Sequence, residues 1–254
     1  MIGTMVPRLA LAGFVLLAGC GGDPAPVPRS TPAPPARATA SPTPAPPAKP
    51  PHRIVRFRAS DGRRLHGQLT PAERRHAPAV VLVHQLYGEP GQWDDFVGHL
   101  HRAGFATLAY ASRSDHEVDE AVLARDLTGA VRALGARPEV DPDRIVLAGA
   151  SVGASTVAYA LGTQPDLPAR GGVGFSAVEG PREVALSKRH AFRPHDLLLI
   201  SDHREAQNAR DLRADAHGKG MTIYVAETTG HGVALLPDTS VRVRAIAWLE
   251  RLTT

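Results

Sequence analysis

The chain has 254 residues, 43% of them hydrophobic and 21% charged, enough for one sizeable globular core. Its formal net charge is +4, but only 5% of residues are aromatic and no basic–aromatic pattern occurs, which argues against a nucleic-acid-binding surface. A single cysteine excludes an intramolecular disulfide and a cysteine-based zinc cluster.

The first twenty residues do not belong to that core. Arg8 precedes an apolar run, Leu9 to Leu17, too short for an ordinary membrane span. The run ends in Leu17-Ala18-Gly19-Cys20-Gly21, which is similar to a bacterial lipoprotein signal with its lipobox. Residues 1–19 are expected to be a signal peptide. Cys20 would then be the lipidated first residue of an extracytoplasmic, membrane-anchored protein. Residues 20–52 read as a linker, since they hold 12 of the 23 prolines and no apolar periodicity. At about 3.1 Å per residue such a spacer reaches at most roughly 100 Å. The folded domain is expected over residues 53–254.

That domain opens with alternation on both sides of Asp61-Gly62, which predicts a hairpin with a tight turn. The arginines at 53, 56, 58, 63, 64, 74 and 75 fit its solvated face, with attraction to anionic lipid as a second possibility. Ala79 to Val83 reads as a buried parallel strand. Gln92 to Ala103 reads as a helix with Trp93, Phe96, Val97 and Leu100 at helical spacing, and Phe105 to Tyr110 as the next strand. Val118 to Leu134 is helical, with Val122, Leu127, Val131 and Leu134 on one face. After a turn at Asp141-Pro142-Asp143 a strand leads into Ser151. Gly171 to Phe175, Leu197 to Ile200 and Met221 to Val225 read as strands, and Val241 to Leu252 as a closing amphipathic helix. Strands alternating with helices predict a mostly parallel sheet covered on both faces, with the hairpin as an antiparallel edge.

Ser151 sits in Gly149-Ala150-Ser151-Val152-Gly153, a G-x-S-x-G between a predicted strand and a predicted helix. A sharp turn there lifts the hydroxyl clear of the sheet, and a Cβ at either glycine would clash. The hydroxyl needs a base. His231, in Thr229-Gly230-His231-Gly232, lies just past the last strong strand, where parallel sheets form their ligand sites. The histidine needs a carboxylate. Glu205 or Asp202, both just past Leu197 to Ile200, could serve, and Glu205 is preferred because a turn precedes it. The oxyanion donors expected are the N–H groups of Val152 and Leu86. His84 is expected to hold the loop that carries Leu86. Tyr87 either lines the pocket or packs. Ser155, one turn after Ser151, reads as a small packing residue. No H-E-x-x-H or nucleotide-binding glycine loop occurs, so no metal or cofactor is expected.

Strand–His-x-x-x-Gly, strand–Gly-x-Ser-x-Gly, strand–acid and Gly-His-Gly, in that order over residues 53 to 254, resemble the α/β-hydrolase superfamily. Val81-Leu82-Val83-His84-Gln85-Leu86-Tyr87-Gly88 followed by Trp93 is most similar to its dienelactone hydrolase-like members and small esterases. The resemblance implies an α/β-hydrolase fold and a triad of Ser151, an acid and His231. Three features depart from it. Gln85 stands where many members have Gly, and Ser112-Arg113-Ser114 keeps only the arginine of an Asp-x-Arg-Gly-His-Gly segment. Ser151 stands where dienelactone hydrolases have cysteine, which points to an esterase. Only about twenty residues separate Phe175 from Leu197, too few for a cap domain. The expected activity is hydrolysis of a small-molecule carboxylic ester through an acyl-enzyme. A peptidase or acyltransferase on the same triad, and a non-catalytic binding lipoprotein, are the alternatives.

Overall fold

The computed structural model describes residues 50–113, 119–178, 192–218 and 220–254. The expected signal peptide, Cys20 and nearly all of the linker lie outside the described residues. So do residues 179–191 of the connection in which a cap would stand.

Among the described residues eight strands form one sheet: β1 (Arg53–Arg58), β2 (Arg64–Thr70), β3 (Ala77–Val83), β4 (Ala106–Ala111), β5 (Val140–Ala150), β6 (Gly172–Phe175), β7 (Leu197–Asp202) and β8 (Met221–Ala226). Their spatial order is β1-β2-β4-β3-β5-β6-β7-β8. β1 and β2 pair antiparallel, β2 joins β4 antiparallel, and every pairing from β4 to β8 is parallel. Described helices are α1 (Asp94–Arg102), α2 (Glu120–Gly135), α3 (Val152–Thr163), α4 (Ala206–Asp215) and α5 (Thr239–Thr253), with 3₁₀ turns at Pro90–Trp93 and Gly232–Leu235. This is the α/β-hydrolase fold with a leading antiparallel hairpin, and no cap stands among the described residues.

Strand alternation sorts the core into two layers. In β3, Ala79, Val81 and Val83 face one layer with Leu127 and Val131 of α2, Val157 and Leu161 of α3, and Leu212 of α4. Val80 and Leu82 face the other, with Phe96 and Leu100 of α1 and Val241, Ala245 and Leu249 of α5. All five β3 residues from Ala79 to Val83 are buried, which is why the run reads as continuously apolar rather than alternating. Asp119 caps α2 by accepting from the Ala121 N–H, and Asp238 caps α5 by accepting from Ser240 and Val241.

Three local expectations change. The hairpin connection is longer than a two-residue turn: Ala59 N–H donates to the Arg63 carbonyl at 2.8 Å, and Gly62, at φ 88°, donates to Ala59 at 2.9 Å. Asp61 is freed from the turn's centre to pair with Arg113. In α2, Leu127, Val131 and Leu134 are buried as expected, Leu123 rather than Val122 completes the stripe, and Asp126 is buried in an ion pair with Arg113. Asp141 to Asp143 belong to β5 as an irregularity in its pairing with β3; the Asp141 carboxylate accepts from the Asp143 N–H and from Arg144 and so closes the bend.

Candidate active site

The serine turn is built by backbone crowding. Ser151 follows β5 with φ 53° and ψ −120°, a left-handed conformation costly for a residue with a side chain. Its N–H is anchored on the Phe175 carbonyl at 2.8 Å, and its own carbonyl accepts from Ala154 and Ser155 to start α3. A Cβ at Gly149 would lie 2.2 Å from the Gly153 carbonyl oxygen, and one at Gly153 would lie 2.3 Å from that of Val83. Both glycines are therefore required by contact. Ser155 does more than pack: its Oγ donates to the Val178 carbonyl at 2.8 Å and accepts from the Val178 N–H at 3.1 Å. That pins the chain leaving β6 beside the serine helix.

Across the sheet end lies the acid–histidine pair. His231 Nδ1 is 2.7 Å from Glu205 Oε1. The imidazole is 44% exposed and the carboxylate 28%. If Nδ1 carries the proton and donates to Glu205, Nε2 is left as an acceptor; no hydrogen bond joins it to Ser151 among the described residues. Gly232, at φ 59°, sits under this turn. A Cβ there would lie 3.4 Å from Ala150 Cβ, so the residue after His231 packs on the residue before Ser151. Glu205 Oε2 is buried without a hydrogen-bond partner among the described residues.

Asp202, the other acid weighed from the sequence, does not bond the imidazole. It is fully buried at the end of β7. Its Oδ1 accepts from the N–H groups of Arg204 (2.9 Å) and Glu205 (3.1 Å). Its Oδ2 accepts from Arg204 Nε (2.8 Å) and Nη2 (2.6 Å) and from the Gly230 N–H (3.3 Å). Burial alone would raise its pKa, but these bonds prevail and hold it at about 2.

The loop after β3 carries the expected oxyanion donor. His84 is buried; its Nδ1–H donates to the Gln85 carbonyl at 2.8 Å and its Nε2 accepts from the Ser112 N–H at 3.1 Å. Burial lowers its pKa, only partly opposed by the bond to Gln85, so the imidazole stays neutral and holds the loop against the end of β4. The N–H groups of Leu86 and Val152 have no hydrogen-bond partner among the described residues. Both line a shallow recess with His84, Tyr87 and Leu123; neither Ser151 nor His231 is part of its lining. Tyr87 stands at its rim, 81% exposed and at φ 56°, rather than packed inside. The Gln85 Oε1 is buried and would lie 2.5 Å from a Cβ at residue 232. The departure from glycine thus fills space beneath the histidine turn.

Arg113, retained from the longer segment, is a structural staple. It donates to the buried carboxylate of Asp126 on α2 and to Asp61 in the hairpin loop, and it holds Asp61 at about pKa 2. The sequence offers one trace of this ion pair, a lone acid on the apolar stripe of α2. Among the described residues no three His, Cys, Asp or Glu side chains cluster to hold a metal.

No protein-family model matches the sequence, and no curated protein matches it. Solved structures share the fold at low identity. A dienelactone hydrolase from Anabaena variabilis superposes with a TM-score of 0.66 and 18% identity, covering 81% of this chain and 100% of that one. A bacterial heroin esterase gives 0.66 and 16%, covering 80% and 84%. An esterase from Pyrococcus furiosus gives 0.59 and 16%, covering 80% and 94%.

Proposed function

We infer that the protein is a serine hydrolase acting on carboxylic esters, with Ser151 as nucleophile, His231 as general base and acid, and Glu205 as its orienting carboxylate. The observation that carries this reading is the 2.7 Å His231–Glu205 pair on a turn packed against the strained Ser151 turn. Ser151 Oγ attacks the ester carbonyl and its proton passes to His231 Nε2. The Leu86 and Val152 N–H groups receive the oxyanion. Collapse expels the alcohol, which takes the proton from His231. Water, activated by the same imidazole, then hydrolyses the acyl-enzyme. Acyl transfer on the same triad is the competing reading, and transfer to an added alcohol in preference to water would favour it. The names of the three structural neighbours agree with the hydrolase reading. A small-molecule ester remains the proposed substrate. A lipidated Cys20 would hold the enzyme outside the cytoplasm, and incorporation of labelled fatty acid, absent in Cys20→Ala, tests that placement.

The test of the chemistry is covalent labelling of the full chain by a fluorophosphonate probe. Labelling is expected in the wild type and absent in Ser151→Ala. A folded, unlabelled wild type would overturn the hydrolase reading.

A further inference from the structure

We propose that Asp202 is a positioning residue that clasps the turn carrying Glu205 to the turn carrying His231; as a statement about catalysis it rests on the hydrolase reading above. Asp202 ends β7 and stands level with Ala226, the last residue of β8. Glu205 lies beyond the first strand and His231 beyond the second. Neither turn is held in register with the other by the sheet, which stops at Asp202 and Ala226. The Asp202 carboxylate crosses that gap. On one side it takes the N–H groups of Arg204 and Glu205, fixing the backbone from which the triad carboxylate projects. On the other it takes the N–H of Gly230, the residue before His231. The Arg204 guanidinium, itself 60% exposed, closes over Oδ2 with two bonds and fixes the carboxylate's orientation.

The chemistry of the donor set specifies an anion. Five donors converge on two oxygens, and none of the partners is an acceptor. A neutral amide of the same shape would have to aim an NH₂ at N–H groups. A carboxylate so placed stays ionised throughout the neutral range and cannot itself accept the Nδ1 proton of His231, since both oxygens are engaged elsewhere. The division of labour follows: Glu205 orients the imidazole, and Asp202 orients the pair.

The experiment reads the pair directly as well as the reaction. Full-length protein carrying Ser151→Ala is followed by proton NMR for the low-field Nδ1–H resonance of His231, identified by its loss in His231→Gln. In that background Asp202→Asn should broaden or abolish the resonance. With Ser151 present it should slow fluorophosphonate labelling about 10²-fold, the effect of an angstrom-scale misplacement. A folded Asp202→Asn with unchanged resonance and unchanged labelling overturns the proposal. If wild type is not labelled but the resonance is lost in Asp202→Asn, the hydrolase reading falls and the clasp stands. Should Asp202→Asn fail to fold, Arg204→Met, which removes only the guanidinium bonds, carries the test. It should slow labelling and speed exchange of the Nδ1–H by a few-fold, and no change in either overturns the clasp.

Discussion

The serine turn and the acid–histidine turns meet at the same end of the sheet but are held by different physics. Around Ser151 the fixing element is steric: backbone carbonyls of Val83 and Gly153 stand where any Cβ at 153 or 149 would go, and the strained φ of Ser151 persists because the packing leaves no alternative. Around Glu205 and His231 it is electrostatic: one carboxylate collects donors from two loops, and the imidazole remains substantially exposed. A sterically fixed site fails by unfolding or shifting its backbone. An electrostatically fixed one fails in rate while the fold survives.

The largest expected effect lies on the electrostatic side. Glu205→Gln should lower turnover of an activated ester by roughly 10³–10⁴-fold, because the imidazole loses the partner of its charged form. The unfolding temperature should stay close to wild type, since Glu205 is partly exposed and its Oε2 has no partner to lose. A large fall in stability would show that the two turns are not separable as described. Gly153→Ala tests the steric side. Its Cβ would meet the carbonyl oxygens of Val83 and His84, backbone atoms that cannot swing aside, so it should cost about 3 kcal/mol in stability by denaturant titration, with labelling lost alongside. Ser155→Ala is milder. It removes the bonds to Val178 and should cost about 1 kcal/mol, and slow labelling only as far as the chain after β6 shifts.

The same contrast explains what was legible in the sequence. The serine turn is local, since Gly149, Ser151 and Gly153 carry their own steric argument within five residues. The layers were legible too, because β3 and the helical stripes follow simple periodicities. Asp202 was not readable in its role, because its decisive partner, Gly230, is remote in sequence and becomes a neighbour only once β7 and β8 are side by side. Glu205 could be preferred from the turn before it, yet its contact with His231 is equally non-local. The burial of Asp126 in α2 was hard to read for the same reason: its partner Arg113 arrives from the end of β4. Helix α4 has a weak apolar face, with Ala206, Ala209 and Leu212 buried among polar residues, and periodicity alone did not reveal it.

The smallest effect belongs to His84, which stands between the two regimes as a buried group holding, by hydrogen bonds, the loop that bears the Leu86 N–H. Burial depresses its pKa below the ordinary imidazole value of 6.5, so the unfolded chain takes up a proton that the folded chain resists. Its contribution to stability is then present above pH 6.5 and lost as pH falls through the folded-state value. Asp61 and Asp202 behave alike in sign but in a lower window: with pKa near 2 against an ordinary 3.8, their contribution is intact above 3.8 and is lost as pH falls through about 2. His99 is depressed too, by burial and then by Arg242 and Arg102, and overlaps the upper window. Unfolding temperatures recorded from pH 8 to pH 5 should therefore decline for wild type, less steeply for His84→Asn, and less steeply again when His99→Asn is added. An unaltered slope in His84→Asn would mean that the imidazole is not held neutral, and that the loop bearing the Leu86 N–H is fixed by packing, as the serine turn is.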